Sequence, residues 1–108
     1  MNQPRTRDKR RSPRIATTTG IWVSWKIENA RTVSRVRDLS AGGAFVSTDA
    51  PAPSGTAVQL LFALPEGELR IDSVVRYSDP KFGMGVEFKK MSTAARARLQ
   101  ELLRRLSR

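Results

Sequence analysis

Six short strand-like runs, most with alternating apolar and polar residues and the first five each closed by a turn bearing glycine, proline or asparagine, leave this chain little freedom of fold. In residues 21–27, Ile21, Val23, Trp25 and Ile27 share one face, and Trp22, Ser24 and Lys26 the other. Residues 32–38 turn Val36 inward and Arg35 and Arg37 outward, and residues 44–48 resume extended structure. Later runs align Val58, Leu60, Phe62 and Leu64, then Leu69, Ile71, Val75 and Tyr77, then Met84, Val86 and Phe88. After Ser92, an N-cap residue, the period changes to 3.6: Leu99, Leu102, Leu103 and Leu106 form a stripe opposed by Arg96, Arg98, Arg104, Arg105 and Arg108. Six strands with tight connections predict a mainly β protein, an antiparallel sheet rolled into a six-stranded barrel, because closure removes unpaired edges. The C-terminal helix, at about residues 92–106, is expected to pack on the barrel and to cover Trp22. Tyr77 is expected to be buried and Arg76 solvated.

A chain of 108 residues has room for one core, residues 15–108, preceded by a flexible basic arm over residues 1–14. That arm holds Arg5, Arg7, Lys9, Arg10, Arg11 and Arg14 against one acid, Asp8. The sequence contains neither cysteine nor histidine, which removes disulfides, thiolate metal sites and the commonest general base. Its carboxylates form no pair at a catalytic spacing, so binding is expected rather than catalysis, with no cofactor and no metal. No apolar run spans a bilayer and no signal peptide opens the chain, so a cytoplasmic location is expected. Twenty basic against ten acidic residues give a net charge of +10, a field that attracts an anionic partner. Nucleic acid is disfavoured as that partner, since neither basic segment is interleaved with aromatics.

Two stretches carry candidate binding chemistry. In Asp38-Leu39-Ser40-Ala41-Gly42-Gly43, the ionised Asp38 only accepts hydrogen bonds, which suits a partner with adjacent N–H donors such as the Watson–Crick edge of guanine. Ser40 can donate to an anionic oxygen, while Gly42 and Gly43 permit positive φ and close approach of a ligand to the backbone. Taken alone, this hexapeptide equally reads as a tight turn. In Lys9-Arg10-Arg11-Ser12-Pro13-Arg14, the arginine forks match acceptor pairs such as guanine O6 with N7, or a phosphodiester. Alone, this stretch equally reads as a solvated tail.

Arg10-x-x-x-Arg14, followed by Asp38-x-Ser40-x-x-Gly43 and by the strand Gly83-Met84-Gly85-Val86-Glu87-Phe88, resembles the signature of the PilZ domain family from about Lys9 to the closing helix. PilZ domains are receptors for the bacterial second messenger cyclic di-GMP. The resemblance implies a ligand site formed by Arg10, Arg14, Asp38, Ser40 and Gly43, with Lys9, Arg11 and Gly42 as auxiliaries. It implies that the two principal arginines grip guanine edges and phosphates, that Asp38 accepts from guanine N–H groups and that Ser40 helps hold the ligand. It further implies signalling by ordering of the arm and a change of surface read by a downstream effector protein. A PilZ-like adaptor that binds no nucleotide is the alternative.

Overall fold

The computed structural model describes residues 15–65 and 67–106, residues 15–20 by their backbone alone. Among the described residues are β1 (Ile15–Ile27), β2 (Ala30–Leu39), β3 (Gly43–Ser47), β4 (Ala57–Leu64), β5 (Gly67–Asp79), β6 (Gly83–Phe88) and one helix, α1 (Thr93–Leu106). The strands close into an antiparallel barrel in the order β1-β2-β3-β6-β5-β4. The expected six-stranded barrel with a C-terminal helix is therefore observed. The arm over residues 1–14 lies outside the described residues.

The barrel is closed because each alternating run has an apolar face to hide, and rolling the sheet hides all six together. Val23, Val36, Leu39, Val46, Leu60, Phe62, Ile71, Val75 and Val86 fill the interior. Trp25 joins them, and its buried indole N–H donates to Ser34 Oγ at 2.9 Å, which satisfies the one polar group that the ring carries. Tight turns set the register. Glu28, at φ 54°, and Asn29 form the two-residue connection between Ile27 and its partner Ala30. At the β5–β6 turn, the Asp79 carboxylate accepts from Lys81 N at 2.9 Å.

Ser92 caps α1 as its residue type predicts: its Oγ accepts from Ala95 N at 3.1 Å and its carbonyl from Arg96 N at 2.9 Å. Leu99 and Leu102 are buried in the barrel core, with Leu103 and Leu106 packed against it. One expectation around the helix, that for Trp22, is overturned. Arg98, opposite the leucine stripe, donates from its Nη1 to Glu68 O at 2.6 Å, and its guanidinium lies over Gly67, where φ is +134°. The helix is thereby pinned to the β4–β5 hairpin. Trp22 is not covered by the helix and stays 60% exposed, because Leu99 and Leu102 seat α1 on the core and nothing bends it towards the outer face of β1. Leu99→Ala should lower the unfolding free energy by about 2–5 kcal/mol in urea denaturation followed by circular dichroism, as expected for a core leucine. A helix held outside the barrel core predicts almost no change.

Candidate functional site

The barrel interior is filled, so binding chemistry has to sit on its outer face or at its rims. Two register shifts decide which residues reach that face. On β2, Val36 pairs with Val46 but Asp38 pairs with Phe45, so Arg37 is an extra residue. Without it, Asp38 would point inward with Val36; the bulge turns the carboxylate outward and leaves Leu39 inside. On β5, Val75 pairs with Val86 but Tyr77 pairs with Gly85, so Arg76 is the extra residue. Tyr77 accordingly leaves the inward face of Leu69, Ile71 and Val75. Contrary to its expected burial, it is 48% exposed.

These bulges bring Asp38, Phe45, Gly85 and Tyr77 into one row across β2, β3, β6 and β5, since each is the register partner of the next. At the usual strand spacing the row is roughly 14 Å long. The Tyr77 ring lies flat over Gly85, where a Cβ would collide with it, and meets the Phe45 ring at 6.0 Å between centroids and 39° between planes. Arg37 covers the same phenylalanine, its Cζ 4.0 Å from the ring centroid, with its Nε 3.9 Å from Asp38 Oδ2. The face therefore combines a partly buried carboxylate, a guanidinium and two aromatic rings, of which Tyr77 is exposed and Phe45 is covered. Arg76 is paired with Glu87 at 3.2 Å beside it.

The turn after Asp38 differs in mechanism from its sequence reading. Ser40 is fully buried; its Oγ accepts from Gly42 N at 3.2 Å and Gly43 N at 3.1 Å, and donates to Gly43 O at 3.2 Å. With Ser40 N donating to Gly43 O at 2.9 Å, the hydroxyl is committed to holding the turn. Neither Gly42 nor Gly43 adopts positive φ, as the sequence reading allowed; Gly55, Gly67 and Gly83 do. Gly43 is required by the approach of β6, because a Cβ there would collide with Val86 O. Gly42 has open space around it, and its carbonyl accepts from Phe88 N at 2.9 Å.

Arg10, Arg14, Lys9 and Arg11 lie outside the described residues. The strand that follows them begins at Ile15, paired with Leu39, and Ala16 pairs with Asp38. The arginine-bearing segment thus joins the barrel beside the candidate carboxylate. Phe45 and Tyr77 are the residues of this face that sequence reasoning left out; a single inserted residue in a short strand leaves no periodic trace.

Gly43→Ala should destabilise the fold by roughly 1–3 kcal/mol, as an added methyl does in a packed site, whereas Gly42→Ala should stay within about 0.5 kcal/mol. Urea midpoints of the two variants measure the contrast.

A family model of the PilZ domain matches residues 8–105. No curated protein gives a significant match. Among solved structures, the chain is similar to the PilZ domain with c-di-GMP of YcgR from Escherichia coli, at 20% identity and a TM-score of 0.71 over 93% of this chain and 92% of that one. The PilZ domain of CeSA from a cellulose-synthesizing bacterium matches at 21% identity and a TM-score of 0.70, over 90% and 100% of the two chains. The inhibitor of motility MotI/DgrA of Bacillus subtilis matches at 26% identity and a TM-score of 0.67, over 95% of this chain and 55% of its own. These likenesses agree with the barrel geometry, and the family match spans nearly the whole sequence: the chain belongs to the PilZ domain family.

Proposed function

We propose that the chain binds cyclic di-GMP on the outer face that runs from Asp38 to Tyr77 and acts as a receptor or adaptor domain, not as an enzyme. The observation that carries this reading is the β2 bulge, which turns Asp38 out of the barrel beside Ala16, two residues after Arg14 in the sequence. The YcgR domain, similar in fold, is described with c-di-GMP bound, and so is MrkH of K. pneumonia, with a TM-score of 0.72 at 20% identity.

The roles follow from donors and acceptors. Asp38 accepts from the adjacent N1–H and N2–H groups of a guanine. Arg10 and Arg14 place their forks on guanine O6 and N7 and on phosphate oxygens, with Lys9 and Arg11 adding general positive charge. Ser40, Gly42 and Gly43 hold the turn that presents Asp38. Tyr77 offers an exposed ring to a purine, with the buried Phe45 packed beside it as support. Binding costs the conformational entropy of fixing the arginine segment, which charge-assisted contacts offset. Fixing that segment is the conformational output, read by an effector protein. Among the described residues no helix is long and apolar enough to cross a membrane, and no group of His, Cys, Asp or Glu could hold a metal ion.

Titration calorimetry with cyclic di-GMP tests the reading. The expected result is a dissociation constant on the order of micromolar or below, binding lost in Arg14→Ala, and a loss of about 1–3 kcal/mol in Asp38→Ala, the worth of one bidentate base contact. Tyr77→Ala should cost about 1 kcal/mol or more through lost stacking. Absence of heat, with absence of binding by a second method on folded protein, would leave the nucleotide-free adaptor as the reading.

A further inference from the structure

A second outer surface is left over by the nucleotide reading. On the β1–β2 hairpin, Trp22 pairs with Arg35, Ser24 with Val33 and Lys26 with Arg31, so all six side chains share the outer face. Trp22 is 60% exposed and its diagonal neighbour Val33 is 63% exposed. The half-buried Leu61 of β4 continues the patch beyond Ser24. Single exposed apolar residues need no explanation, but a tryptophan and a valine side by side on a rigid strand pair mark a contact surface. Around them the charge is one-sided. Residues 21–37 hold Lys26, Arg31, Arg35 and Arg37 against one acid, Glu28, in the turn. Arg31 is bonded to Ser24 Oγ at 2.9 Å, and Arg35 and Lys26 have no ion pair among the described residues.

We propose that this face docks an acidic protein segment that carries one apolar anchor side chain. Tryptophan framed by arginine is the composition of an interface hot spot, and the charge selects an acidic partner. The chain's own N-terminal residues are a poor occupant, with six basic residues against Asp8. A second copy docked through the same face would set this basic patch against its own copy across a two-fold axis. Nucleic-acid platforms on sheets stack bases on several aromatic rings, and here Val33 and Leu61 offer no π-face. The proposal is independent of the nucleotide reading, because Trp22 and Val33 lie outside the Asp38–Tyr77 row.

Panning a random dodecapeptide display library on the intact chain, with Trp22→Ser as the counter-selection target, tests it. Peptides with two or more Asp or Glu residues around a Leu, Phe or Met should be enriched. A synthetic copy of the best one should bind at least about tenfold more weakly to Trp22→Ser and to Arg35→Glu, and more weakly at high salt. Both variants change exposed residues and should keep the wild-type circular dichroism and thermal midpoint. Three results overturn the proposal: no peptide class that separates wild type from Trp22→Ser, enriched peptides without acids, or a Trp22→Ser effect on oligo-dT binding in place of peptide binding. Sedimentation showing a dimer that Trp22→Ser disperses would also overturn it, by giving the face to a second copy. A silent cyclic di-GMP titration leaves it intact.

Discussion

The side-chain period of a strand is two, so a single extra residue moves everything after it to the other face, and this barrel depends on two such insertions. With Leu60, Phe62, Ile71, Val75 and Val86 filling the interior, no ligand can be held inside. Any polar group intended for a ligand has to be outside, while the strand that carries it must continue to supply core residues. The bulge at Arg37 satisfies both demands: Val36 and Leu39 stay buried and the residue between them that matters, Asp38, turns outward. Arg76 does the same for Tyr77 on the strand three places away in the barrel. Both bulged residues are arginines, whose long side chains find partners from the outward position that a bulge imposes: Asp38 and Phe45 for Arg37, Glu87 for Arg76.

In the turn that joins β2 to β3, the signature residues Ser40 and Gly43 are committed to the fold itself. Ser40 is buried and satisfied by three hydrogen bonds within its own turn. Gly43 is fixed by the β6 backbone, which passes too close for any side chain. Their common effect is to clamp the end of β2, and with it the direction of the Asp38 carboxylate. A carboxylate that must meet two adjacent N–H donors gains from this rigidity, because orientation lost on binding is entropy that the contact would otherwise have to offset.

Much of the architecture was legible in the sequence, for a specific reason. Alternation identified all six strands and the leucine stripe identified α1, because burial imposes those periods directly. The donor and acceptor capacity of Asp38, Arg10 and Arg14 is a matter of residue type, whereas their grouping as one site came from the family resemblance. What could not be read was any feature that depends on a defect in the period. Tyr77 continues the Leu69–Ile71–Val75 series on paper, and only the inserted Arg76 takes it out. Trp22 offered apolar area that the sequence reading assigned to the helix, yet α1 is seated by Leu99 and Leu102 and tied down by Arg98 at the β4–β5 hairpin. Arg98 was placed only on the face opposite the leucines, since helical spacing cannot show that a strand carbonyl, Glu68 O, lies within reach.

The two outer surfaces are neighbours, and the magnitude of electrostatics limits how they can be coupled. Arg35 stands between them, paired with Trp22 on one side and Ser47 on the other, one step along β2 from the bulge before Asp38. A phosphate of a nucleotide over Phe45 would sit roughly 7–10 Å from that guanidinium, by strand geometry. Between exposed charges at 10 Å in water, the interaction is only about 0.4 kcal/mol, and physiological salt reduces it further. Nucleotide charge alone would therefore change the affinity of an acidic partner by no more than about twofold per charge pair. A larger coupling requires matter, not field, to move between the sites. The described residue that follows Arg14, Ile15, pairs with Leu39 beside Asp38 on the strand that also carries Trp22, so β1 is the element common to both surfaces.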